Sequence, residues 1–255
     1  MAPAAKPWNG RLVFWPGGNV WIGQVSSETG FHEHHAIQIT LSLAGGAVRF
    51  REPDGDWASY AASIVASHQS HAFEAHDELV ALIFTEPESR DGRALRDRYH
   101  QGVTPLSTEP LAALTTRLAA IHRQRGADDE LADCARRVIA PLSSLDPAPL
   151  KPLDQRIDRA LAAIRERLDD AITLADIADV VHLSPERFRH LFMEETGVRF
   201  RPYVLWLRMK VALAAYTAGS NLTDAAQTAG FADSAHFSRT FKRMFGVPAI
   251  EVQRA

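Results

Sequence analysis

The sequence predicts an α+β protein of two domains, and three observations carry that prediction. The first ninety residues break into short β-prone runs between turn signals. The last hundred hold apolar residues at helical spacing. A proline-rich stretch separates the two. At 255 residues the chain is long enough for two modest cores, and 46% hydrophobic with 23% charged residues is the balance of an ordinary globular protein.

The strand candidates are 12–15, 19–25, 36–43, 47–51 and 79–85, rich in β-branched, aromatic and leucine residues. Pro16-Gly17-Gly18, Gly45-Gly46 and Pro53-Asp54-Gly55-Asp56 supply the turns between them. Many short strands at such intervals predict a β-sandwich or small barrel. The period then changes. Leu111, Leu114, Leu118 and Ile121 mark one helix, and 129–139 a second, with Gly126 between them. The pair reads as an antiparallel hairpin, which either offers an apolar face to a second subunit or covers the sheet. Pro141, Pro147, Pro149 and Pro152 then oppose regular structure. The expected division is a first domain over 8–140, a linker over 141–153 and a helical domain over 154–255.

Bulk features narrow the class. No apolar run approaches a membrane span, and the N-terminus lacks the apolar core of a secretory signal, so a cytoplasmic protein with no membrane partner is expected. The single cysteine, Cys134, excludes an internal disulfide and reads as a buried helix residue. Net charge is −3, unevenly spread. Residues 1–150 carry 13 basic against 18 acidic side chains, while 184–255 carry 10 against 6. That asymmetry permits a DNA-binding half without demonstrating one.

Two stretches of the helical half share one construction. Each opens on a cap with an acid three places on, Thr173 with Asp176 and Asn221 with Asp224. A short alanine-rich helix and a tight turn follow, and then a second helix. Ser184-Pro185 starts that helix in one unit and Asp233 in the other. Phe188, Leu191 and Phe192 form the apolar face of the first, and Phe237, Phe241 and Phe245 that of the second. The opposite faces carry Arg187, Arg189 and His190, and Ser234, Ser238, Arg239, Lys242 and Arg243. Arginines and small polar groups opposite a phenylalanine stripe suit a helix that reads a major groove. A solvated face would explain either unit alone; two copies in register favour the groove.

Residues from about 154 to 254 resemble the DNA-binding domain of AraC/XylS-type transcription regulators. Ala229-Gly230-Phe231, Phe237-Ser238-Arg239 and 241–248 carry the resemblance most strongly, with Leu183-Ser184-Pro185 and Glu195-Thr196-Gly197 in the first unit. The resemblance implies seven helices, a long central one holding both units on one face of DNA. It implies recognition helices at 184–195 and 233–245 in successive major grooves. It carries base-contact roles onto Glu186, Arg189 and His190, and onto Ser234, Ala235, Ser238 and Arg239. Glu186 would need a cytosine amino group or lie idle, and Ala235 would offer only apolar contact to a thymine methyl. Ile250 to Arg254 replaces the family's Tyr-Arg ending.

The first domain concentrates histidines: His32, His34 and His35 before one strand, His68, His71 and His76 before another. Two histidines at i and i+2 on a strand point the same way, and a third from a neighbour could close a metal site. The arrangement resembles the cupin barrel that often forms the sensor half of AraC-type regulators. In metal-binding cupins a glutamate follows the His-x-His pair; Gln38 stands near that place here. No cofactor is required on this reading, and a divalent metal on His32, His34 and His71 is an alternative occupant. The expected effector set is His32, His34, Gln38, Trp57, His71 and Phe73, with Trp15, Trp21 and Tyr60 as further pocket candidates.

The resulting expectation is a non-enzymatic, effector-responsive regulator with double-stranded promoter DNA and a small molecule as partners. It is expected to be a homodimer. By resemblance alone, RNA polymerase is a further partner and activation the commoner mode. A metal-dependent cupin enzyme tethered to DNA is the competing class. A constitutive DNA binder with an inert barrel is the third.

Overall fold

The computed structural model describes residues 8–143, 152–168, 171–249 and 252–253. The architecture is α+β with two compact units, Met1–Ala148 together with Phe241–Ala255, and Pro149–Thr240. Among the described residues no helix is long and apolar enough to cross a membrane.

The first unit is built on two sheets. Strands β1 (Trp8–Trp15), β2 (Gly18–Val25), β3 (Ile37–Ser42), β6 (Ala62–Val65), β8 (Glu78–Thr85), β9 (Val103–Pro105) and β10 (Val252–Gln253) form the larger, in the order β10-β1-β2-β8-β3-β6-β9. Strands β4 (Val48–Arg51), β5 (Ala58–Tyr60) and β7 (Ala72–Glu74) form the smaller, in the order β5-β4-β7. Alternation assigns the faces. Val20, Ile22, Ile37, Ile39, Leu41, Ile64, Ala81 and Ile83 share one apolar core with the helices. Gln38, Thr40, Ser63, Leu82 and Phe84 occupy the intervening positions and are also buried, so they face the other way. Strand β3 alternates apolar and polar residues as a half-exposed strand would, yet all six are buried, so Gln38, Thr40 and Ser42 line a buried second face.

Helices α1 (Arg90–Arg98), α2 (Ala112–Arg123) and α3 (Asp128–Ser143) cover the sheet. Leu95, Leu118, Ile121, Leu131, Ala135 and Val138 belong to the same core as the strands, which favours the covering role of the predicted hairpin. Helix α3 also corrects the expected linker, because it continues through Pro141 to Ser143. Proline forfeits one amide bond there, but Leu142 extends the buried stripe of Leu131, Ala135 and Val138 and holds the last turn. The other linker residues lie outside the described residues, except Pro152 and Leu153. Helix α1 and the short strands β5, β6, β7 and β9 were not anticipated. For the strands, three or four residues are too few for a period to register.

The second unit is helical: α4 (Gln155–Glu166), α5 (Leu174–Val180), α6 (Pro185–Thr196), α7 (Phe200–Thr217), α8 (Leu222–Thr228) and the first part of α9 (Ser234–Phe245). That makes six helices among the described residues of this region, against seven expected from the resemblance. Ile250, Glu251 and Arg254, where the family ending was in question, lie outside the described residues. At 1.5 Å per residue, α7 is a rod of roughly 27 Å. Tyr203, Trp206 and Met209 on it are buried.

Candidate functional site

The two helix-turn-helix units close in the same way. After α5, the Leu183 amide donates to the Ala178 carbonyl (3.0 Å) and the His182 amide to Asp179 (3.1 Å). After α8, the Phe231 amide donates to Ala226 (3.0 Å) and the Gly230 amide to Gln227 (2.9 Å). These are paired Schellman closures, and each needs one left-handed residue. Gly230 supplies it at φ 73° and His182 at φ 56°. The openings match too. Thr173 and Asp176 form a reciprocal capping box, and the Asn221 carbonyl Oδ1 accepts from the Asp224 amide at 2.9 Å. Ser184 stands thirteen positions before Gly197, and Asp233 thirteen before Gly246. Both glycines are left-handed stops.

Burial then separates the faces of α6. Phe188 and Phe192 are 0% and 1% exposed, while Glu186, Arg187, Arg189 and His190 all face solvent. Glu186 holds the other two candidate readers. Arg189 donates to its carboxylate through Nε (3.1 Å) and Nη2 (2.6 Å), and His190 Nε2 lies 2.8 Å from it. Hydrogen bonds from Arg189 first and His190 second hold the carboxyl down at about 2. On α9, Phe237, Thr240, Phe241 and Met244 are buried, whereas Ala235, Arg239, Lys242 and Arg243 are exposed and Ser234 and Ser238 half-exposed. Every sequence-predicted DNA contact therefore lies on the side away from the core. Met193, one turn beyond Arg189 and 46% exposed, was missed. A methionine in a phenylalanine-rich helix reads as core from sequence, and only its accessibility distinguishes it.

In the first unit the predicted histidines separate into groups. The segment before β3 runs beside β7, with bridges Glu28↔Glu74 and His32↔His71. His32, His34 and His71 converge there, their nearest ring nitrogens all within 4.8 Å of one another. Each Nδ1 meets a backbone carbonyl at 2.8 Å: Gly30 for His32, Ala36 for His34 and Gln69 for His71. Nδ1–H donation places the lone pair of His32 and His71 on Nε2, whereas His34 also meets the Gln38 side-chain oxygen through Nε2. His71 Nε2 is buried without a partner among the described residues, and His34 Nε2 meets the Gln38 amide at 2.9 Å. Burial, and then the imidazole of His34, pushes His32 down to about 4. Burial likewise takes His34 to about 4, and burial followed by His32 and His34 puts His71 well below its usual value. All three are neutral at pH 7.

Phe73 joins this group through Phe50, whose ring lies 5.1 Å from Phe73 and 5.7 Å from His71. Trp57 does not. It lies beneath Arg49 (5.4 Å) and Arg51 (5.1 Å), side chains on the face of β4 opposite Phe50. Trp21 is buried, while Trp15 and Tyr60 are half-buried. His35 pairs instead with buried Glu88 at 2.8 Å, His68 stands beside it, and His76 reaches Glu74 at the surface.

Fold and site thus define a two-domain chain, a β-rich unit with a buried imidazole cluster and a tandem helix-turn-helix. Comparison with known proteins agrees. Residues 177–255 match the family described as a helix-turn-helix domain. The arabinose operon regulatory protein of Escherichia coli is 32% identical over 118 residues, 46% of this chain and 39% of that protein. The transcriptional activator RhaS of Enterobacter is 26% identical over 229 residues, 88% of this chain and 73% of that protein. The crystal structure of ToxT from Vibrio cholerae superposes with a TM-score of 0.61 at 14% identity, covering 93% of this chain and 97% of that one. A further structure of ToxT, with bound unsaturated fatty acid, matches at 0.56 and 14%, covering 94% of each chain. The chain spans between 30% and 39% of the length of the first three curated relatives it matches. It carries a helix-turn-helix domain over residues 177–255, within a two-domain fold like that of ToxT.

Proposed function

We propose that this protein is a cytoplasmic, effector-responsive transcription regulator that binds promoter DNA through α6 and α9, each entering a major groove. The observation that carries the reading is the duplicated cap, Schellman turn and glycine stop, each presenting an exposed polar face opposite buried phenylalanines. Arg189 and Arg239 are the guanine readers on this reading, and Ala235 and Met193 supply apolar contacts of the kind a thymine methyl takes. Activation is favoured by the likeness to RhaS, and the protein acts as a homodimer in contact with RNA polymerase. The test is an electrophoretic mobility shift on DNA upstream of its own and neighbouring coding sequences. Arg189→Ala and Arg239→Ala should each weaken binding about tenfold, the worth of one bidentate base contact. Unchanged binding in both variants sinks the assignment.

The effector occupies the interior of the β-rich unit. Support comes from its lining, in which polar Gln38, Thr40, Ser63 and His71 alternate with apolar Leu82, Phe84 and Phe73, and from the ligand bound by ToxT. The neutral imidazoles of His32 and His71, with lone pairs on Nε2, favour a hydrogen-bond donor or a cation over a carboxylate. That chemistry also supports a second reading of the cluster as a divalent metal site. His32, His34 and His71 would hold the ion through Nε2, with Gln38 beside them and the carbonyls of residues 30, 36 and 69 orienting the rings. A bound ion there serves as signal, with no turnover required. Elemental analysis should find about one equivalent of metal, lost in His71→Ala.

A further inference from the structure

We propose that Phe245 and Gly246, at the end of recognition helix α9, form the roof of the three-imidazole site and respond directly to an ion bound there. The inference rests on the metal reading of the cluster. Residues 241–255 belong to the same compact unit as the histidines. The Gly30 amide donates to the Gly246 carbonyl at 3.2 Å, and the Gly30 carbonyl accepts from His32 Nδ1 at 2.8 Å. One residue, Gly30, therefore joins the end of α9 to a candidate ligand. Beside it, the Phe245 ring centroid lies 6.3 Å from His34 and 6.2 Å from Phe84.

The fit at Gly246 leaves no slack. A Cβ there would stand 2.5 Å from the Gly30 carbonyl oxygen, 2.7 Å from His32 Nδ1 and 2.9 Å from Thr29 Cβ. The same residue ends α9, its amide donating to the Lys242 carbonyl at 2.8 Å with φ 73°. Ligand nitrogens now spread over as much as 4.8 Å would have to close to about 3.3 Å around a tetrahedral ion with bonds of roughly 2.0–2.1 Å. On this proposal, the inward movement of His32 and His34 shifts the roof that contacts them. Movement of the roof is movement of the turn that carries Lys242 and Arg243. By linkage, an ion that prefers one roof position changes the population of that position.

The experiment uses the full chain and Zn²⁺ alone, followed by amide hydrogen exchange. One equivalent of Zn²⁺ should change exchange at amides 241–249 at least threefold, and a chelator should restore the original rates in the same sample. His71→Gln should abolish the response. Phe245→Ala, which removes no ligand, should alter Zn²⁺ affinity at least threefold. Zn²⁺ bound through His71 with amides 241–249 unmoved overturns the proposal, as does the absence of any His71-dependent binding. The DNA-binding reading is tested separately by the mobility shifts of Arg189→Ala and Arg239→Ala, so either can fail without the other.

Discussion

Glu186 shows how a single residue reshapes an interface. Its position suggested a cytosine contact or no role, yet in the folded helix its carboxylate takes two bonds from Arg189 and one from His190. Exposed ion pairs of this kind add little stability. The consequence concerns recognition: the carboxylate fixes the direction of the guanidinium and sets negative charge on the face proposed to meet DNA. Glu186→Gln should therefore raise affinity for non-operator DNA and lower the ratio of operator to non-operator binding, read by competition mobility shifts. An unchanged ratio would show that Arg189 is not oriented by Glu186. Met193→Ala should lower operator affinity by less than tenfold without changing the unfolding midpoint, since nearly half of its side chain is already in water. Spacing made the exposure of Arg189 and His190 legible, because exposed positions repeat with the helix. The ion pair was not legible, because it depends on rotamers.

Elements were legible in proportion to their length and to the one-sidedness of their burial. The repeated helices announced themselves through caps and phenylalanine stripes, whereas β5 and β7 have three residues each and no period to read. The same limit hid the imidazole cluster's real membership. His32, His34 and His71 could be grouped by analogy, but only strand faces removed Trp57 and drew in Phe50. The paired turns permit a sharper test, since two equivalent positions hold different residues. At His182, a left-handed non-glycine costs about 1–2 kcal/mol, and glycine would relieve it while losing roughly 0.5–1 kcal/mol to unfolded-state entropy. His182→Gly should thus raise stability by about 0.5 kcal/mol. Gly230→Ala should lower it by about 2 kcal/mol, because the new Cβ meets the left-handed penalty and lies 2.7 Å from the Leu168 carbonyl oxygen. Denaturant midpoints of the two variants should move in opposite directions. A shared direction would contradict the equivalence of the turns.

At the scale of the molecule, overall charge hides the function that local charge supports. A net −3 opposes a general attraction to polyanions, so the proposed DNA binding rests on a few cations on the exposed faces of α6 and α9. Arg187, Arg239, Lys242 and Arg243 are exposed there, and Arg189 is already paired with Glu186. If about four phosphates are neutralised, the logarithm of the binding constant should fall with the logarithm of salt concentration at a slope of about −4. Lys242→Ala and Arg243→Ala should each make that slope shallower by about 1 while leaving the operator preference nearly intact. Arg239→Ala should reduce the preference itself. The division matters because Lys242 and Arg243 lie in the last turn of α9, beside the imidazole site. A signal transmitted through Phe245 and Gly246 would then act on phosphate anchoring before base reading. Salt titrations with and without Zn²⁺ separate the two. A change in slope at constant operator preference places control at the anchor, and a change in preference at constant slope places it at the base-reading residues.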